Sequence, residues 1–190
     1  MSVDLAALTL ANGSLWVTCE IIPERKPAVM SVGRQIWAVK ARYDEIHQDT
    51  AVPWWVVGII HYREADLSFS RSIAQGDRWD RVSTHVPRGR GPFHNWREAA
   101  IDALVKCPPY TARWTDWSMG GALTAFEAYN GFGYEQFHHE NSPYNWGATN
   151  HEERGKYVAD GKYDKAAWDT QIGSAALMKA LFEIEQGTKV

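Results

Sequence analysis

The stretch Pro53-Trp54-Trp55-Val56-Val57-Gly58-Ile59-Ile60-His61-Tyr62-Arg63-Glu64, residues 53–64, decides the fold. An uncharged apolar run ends abruptly in His61, Arg63, Glu64 and Asp66. A helix that is apolar on every side belongs at the centre of a domain. Asp49 or Thr50 is the expected cap, with Pro53 in the first turn, where a missing N–H costs nothing. The last turn then carries a carboxylate at the negative end of the helix dipole, which disfavours the anion by about 0.3–1 kcal/mol. Apolar surroundings raise a carboxyl pKa further through desolvation. Glu64 therefore has the setting of a group that keeps its proton near neutrality, as a general acid must. The alternative is a surface residue at the helix end, paired with Arg63 or Arg71.

Working outward, residues 1–30 contain short apolar pieces broken by Asn12-Gly13, Pro23 and Pro27. They read as an irregular arm or a short hairpin packed on the body. Ser31 opens a helix to about Gln48, with Ile36, Trp37, Tyr43 and Ile46 near helical spacing. After the central helix, Leu67 to Pro92 reads as a small lobe of short strands and loops, from the alternating RVSTHV and from Pro87, Gly89, Gly91 and Pro92. Helical signals resume at Asn95 and close at Pro108-Pro109. Thr115 or Asp116 opens a further helix ending at Asn130-Gly131. Residues 134–163 form a long polar and aromatic loop, and Asp164 caps a last helix. The expected class is α+β, mostly α, in one domain spanning 1–190.

Composition narrows the function. The chain has 190 residues, 45% of them hydrophobic, enough for a core of ordinary size. A net charge of −3 argues against a nucleic-acid binder, although Arg78, Arg81, Arg88, Arg90 and Arg97 leave room for an anionic ligand. Cys19 and Cys107 match neither a disulfide framework nor a metal spacing and are expected as buried thiols. Asp4 stands where a secretory signal needs a basic start, and no run reaches the roughly 18 apolar residues of a membrane span. The expectation is a monomer made in the cytoplasm and not inserted in a membrane. Ten tryptophans are unusual. Most belong to packing, but Trp79, Trp117 and Trp146 lie in polar, glycine-containing surroundings, where flat rings beside hydrogen-bonding groups suit sugars.

Asp77, Asp80, Ser83, Thr84 and His85 crowd the segment after Glu64, where a second catalytic group is expected. His61 shares a helical face with Glu64 and is a candidate to orient it. One His-x-x-Glu pair does not make a metal site, which needs three or four ligands. His138, His139 and Glu140 do not supply them at ligand spacing, so no metal and no cofactor is expected.

The segments HYREADLSF, AQGDRWDRVSTHVPRGRGPF, WREAAIDAL, EAYNGFGY, NSPYNWGATN and GKYVADGKYD resemble the bacterial and prophage lysozyme-family proteins, relatives of phage endolysins in the lysozyme-like superfamily. The likeness runs over roughly residues 40–180. It implies a buried helix ending in a catalytic Glu, a small β-lobe, and cleavage of the β-1,4 link between N-acetylmuramic acid and N-acetylglucosamine in a peptidoglycan glycan strand. Glu64 matches the superfamily's acid. Asp77 and Thr84 resemble the Asp and Thr that position the attacking water in phage lysozymes, at different spacings. Tyr129 and Asn130 match a wall motif of lytic transglycosylases. Tyr144, Trp146 and Thr149 belong to the family's own loop, with sugar contact as the implied role, and His61, Trp79 and Ser83 complete the expected substrate contacts. Water-activating placement of Asp77 or Thr84 implies inverting hydrolysis with roughly 6.5–9.5 Å between acid and base. Without it the product is a 1,6-anhydro sugar. A non-catalytic wall-binding or phage structural protein with the same fold is the remaining alternative.

Overall fold

The computed structural model describes residues 3–159 and 161–188. Along the chain run helices α1 (Leu5–Thr18), α2 (Lys26–Ala38), α3 (Lys40–Thr50), α4 (Trp54–Ala65), α5 (Trp96–Lys106), α6 (Met119–Asn130), α7 (Gly133–Phe137) and α8 (Pro143–Trp146). Strands β1 (Lys156–Ala159) and β2 (Lys162–Asp164) follow, then helix α9 (Ser174–Gly187). The class is α+β, dominated by helix. Two compact units result: residues 35–115, and the described residues of 1–34 with 116–190.

In the 35–115 unit, α4 is the core. Val56 through Tyr62 are buried; α3 packs on α4, α5 packs on α3, and Trp96 at the start of α5 reaches the His61 ring at 4.8 Å. Gly58 is needed where it stands, because a Cβ there would lie 2.5 Å from Ile36 Cγ2 and 3.2 Å from the Tyr43 ring. Pro53 is the N-cap rather than a first-turn residue. Thr50 instead ends α3, its hydroxyl donating to the Ile46 carbonyl, and Ala51 takes a left-handed conformation at φ 60°. Asn95 caps α5 as expected, its side-chain oxygen accepting the Glu98 N–H at 2.9 Å, and Glu98 in turn accepts the His94 N–H.

In the other unit, α1 lies against α6, and α9 contributes a buried face of Ala175, Ala176, Leu177, Met178, Ala180 and Leu181. The antiparallel pair β1–β2 is the only sheet among the described residues. Cys19 and Cys107 are free and buried, as expected.

Several expectations are corrected. Residues 5–18 form a regular helix, not an irregular arm. Asn12-Gly13 is not a turn but a crossing point: Asn12 Nδ2 donates to Thr124 Oγ1 at 3.1 Å, and Gly13 faces Gly120 of α6. The helix expected from Ser31 begins at Lys26, with Pro27 in its first turn, and is interrupted at Val39 before α3 starts. The β-lobe expected at 67–92 has no strand, only an isolated bridge between Arg71 and Arg78. Val82 and Val86 are 55% and 79% exposed, so the alternating pattern has no buried face to fix it as a sheet. The hairpin lies instead inside the expected loop 134–163, which also holds α7 and α8. Ser118, not Thr115 or Asp116, caps α6, and α9 starts ten residues beyond Asp164, which closes β2 and accepts the Ala166 N–H.

Candidate functional site

Glu64 lies half-buried in the last turn of α4. The helix stops immediately after it: the Asp66 N–H bonds the Tyr62 carbonyl and the Leu67 N–H the His61 carbonyl. Both capping residues are left-handed, Asp66 at φ 50° and Leu67 at φ 57°. Neither is glycine, and a bulky side chain such as Leu67 is rare there, which marks a constrained turn beside Glu64. Gly76 closes over it, at φ 74°, with its Cβ position 2.8 Å from the Glu64 carbonyl oxygen. Asp77 is the residue that follows this contact in the chain.

Asp77 organises the following loop. Its Oδ2 accepts the N–H groups of Thr84 at 2.8 Å and His85 at 3.0 Å, and its Oδ1 meets His85 Nδ1 at 2.6 Å. These donors, the His85 amide first, hold its carboxyl down at a pKa of about 2. Ser83 is buried and ties the loop tip, donating to the Pro87 carbonyl and accepting the Arg90 N–H. Arg90 is in turn clamped to buried Asp102 of α5. Trp79 is half-buried, its indole N–H on the Phe69 carbonyl at 2.8 Å. Glu64, Asp77, Thr84, Trp79 and Ser83 are thus all in the 35–115 unit. Ser83 is the loop's internal staple rather than a surface group.

His61 is corrected outright. It is fully buried, among Tyr43, Phe69 and Trp96, with Tyr43 Oη 2.9 Å from its Nδ1. Burial lowers its pKa to about 4, which makes it a neutral residue of the core rather than a surface group beside Glu64. Tyr129 and Asn130, half-buried and exposed, end α6 in the other unit. Tyr144 and Trp146 of α8 are 4% and 2% exposed, and Thr149 1%, which leaves them to packing rather than sugar contact. Two buried polar pairs escaped the sequence reading: Arg90 with Asp102, and Glu127 with Asn145, whose Nδ2 donates to the Glu127 carboxylate at 3.2 Å. The signal for the second was a carboxylate inside the apolar run GGALTAFEA.

Among the described residues, no three His, Cys, Asp or Glu side chains converge as metal ligands. No helix among them is long and apolar enough to cross a membrane. Comparison with protein-family models, curated proteins and solved structures finds no match.

Two of the shifted groups, His61 and Asp77, shape stability in acid. His61 has an ordinary pKa of 6.5 and a folded value of about 4, so between these the unfolded chain takes up a proton that the folded chain refuses. Stability therefore falls as pH drops through that window. Asp77 moves from 3.8 to about 2, so its contribution is complete above its ordinary value and lost as pH falls through the folded one. Urea midpoints measured against pH should decline in two steps. His61→Gln should flatten the upper step and Asp77→Asn the lower, whatever each does to the overall height of the curve.

Proposed function

We propose that the protein is a peptidoglycan-cleaving glycosidase of the lysozyme-like type, with Glu64 as general acid and the Asp77–Thr84 loop supplying the second group. One observation carries the reading: an apolar, buried helix delivers a half-buried carboxyl into a strained turn, closed over by the peptide that leads to an ionised carboxylate. A carboxyl at a helix end, beside a loop ordered by an ionised carboxylate, suits an acid and a second group on opposite sides of a glycosidic bond. Asp77, held at low pKa by three donors, stays charged through the reaction. Glu64 sits half-buried in the last turn of the apolar helix, at the negative end of the helix dipole. The motifs resembling the lysozyme family support the same substrate, the β-1,4 bond after N-acetylmuramic acid.

Zymography on purified peptidoglycan tests the activity, and mass spectrometry of the released fragments tests the chemistry. The expected result is a cleared zone and fragments with a reducing end at muramic acid. Fragments lighter by one water would indicate a lytic transglycosylase and move attention to Tyr129 and Asn130. Co-sedimentation with the wall without clearing would indicate a binding module.

A further inference from the structure

We infer that His85, oriented by Asp77, is the general base that activates water in this site. The inference rests on the glycosidase reading above and names its second group.

Asp77 itself is badly suited to take a proton. Its two oxygens already accept the Thr84 and His85 amides, the Thr84 hydroxyl and His85 Nδ1, and a carboxyl with so low a pKa is a feeble base. His85 is the opposite. An ionised carboxylate can only accept, so Nδ1 at 2.6 Å is the donor, and in the neutral imidazole the lone pair then lies on Nε2. The side chain is 73% exposed, so the imidazole is not held there as core packing. An exposed ion pair adds about 0–1 kcal/mol at most, a weak structural reason for so defined a contact.

The loop is also built to hold that imidazole still. Its main chain is pinned twice to the Asp77 carboxylate, at Thr84 and at His85. Ser83 closes the tip through Pro87 and Arg90, and Arg90 anchors it to α5 through Asp102. Ser83 and Asp102, both buried, thus help fix a tip at which Thr84, His85 and Arg88 are exposed. Asp77 is the charged group in contact with the imidazole. A carboxylate that sets the tautomer and steadies the imidazolium is the arrangement by which an Asp–His pair abstracts a proton. In the step, a water proton passes to His85 Nε2 as the water oxygen bonds to the anomeric carbon. The glycosidic C–O bond breaks, and its oxygen takes the proton of Glu64. Solvent then carries a proton from the imidazolium back to Glu64, so one water is consumed per bond.

The test compares the parent protein, His85→Gln and His85→Ala on purified peptidoglycan, with 15N NMR of the imidazoles. His85→Gln should lower kcat by about a hundredfold or more, with KM little changed. The acid limb of the parent's pH–rate profile should vanish from the residual activity. Imidazole added to His85→Ala should restore part of the rate, and the nitrogen shifts should show an Nδ1–H tautomer at neutral pH. A parent protein that cleaves while His85→Gln cleaves as fast overturns the His85 assignment alone, as does an Nε2–H tautomer. A parent protein that fails to cleave at all overturns the glycosidase reading, and this inference with it.

Discussion

Glu64→Gln is expected to lower peptidoglycan cleavage by about 10²–10⁴-fold while circular dichroism and melting temperature stay near the parent values. Glutamine keeps the shape of the side chain but has no proton to give to a leaving oxygen, so the loss is confined to general-acid catalysis. The fold should survive because main-chain bonds, from Asp66 to Tyr62 and from Leu67 to His61, hold the helix end in parent and variant alike. Asp77→Asn should act differently. It weakens the acceptor that gathers Thr84 and His85, so it should disturb the loop as well as the rate. The readout is turbidity of chloroform-treated Gram-negative cells, with circular dichroism on each variant. Lysis by Glu64→Gln at the parent rate would make Glu64 a structural helix-end residue and remove the proposed acid.

The residues that were legible in the sequence are those whose environment is set locally. The apolar run 53–62 could only be a central helix, and Asn95 before WREAAIDAL could only be a cap, so α4 and α5 fall where expected. The failures have tertiary causes. His61 reads as polar and available, yet Tyr43, Phe69 and Trp96 enclose it, and those partners come from three separate segments. Trp146 looks like a sugar platform in PYNWGATN, but α8 turns it into the core. The alternation in RVSTHV is genuine, and no partner strand exists to use it. Instead a side chain, Asp77, takes the amide hydrogens that a ladder would have taken. A carboxylate doing the work of a strand leaves no periodic trace. The same substitution explains why His85 stands out only once its contact with Asp77 is seen.

The α1–α6 crossing has the same character and gives the largest expected loss of stability. Gly120→Val should destabilise the protein by about 3 kcal/mol, the upper end of what overpacking costs. A Cβ at Gly120 would overlap the Thr9 carbonyl oxygen and lie 3.1 Å from the Gly13 amide nitrogen. Both are backbone atoms, so no rotamer change relieves the clash and the helices must part. Parting them also strains the hydrogen bonds at Thr124, which is fully buried, accepts from Asn12 and from Thr9, and donates to the Gly120 carbonyl. For a chain of this size the loss corresponds to a fall in melting temperature of about 6–12 °C. Gly187→Ala is the matched control. It lies at the end of α9 with no atom within 4 Å of a Cβ, and removing a helical glycine there should be neutral or stabilise by up to about 1 kcal/mol. If Gly120→Val melts with Gly187→Ala, then α1 does not lie on α6, and Asn12-Gly13 must be read again as the turn that its sequence suggests.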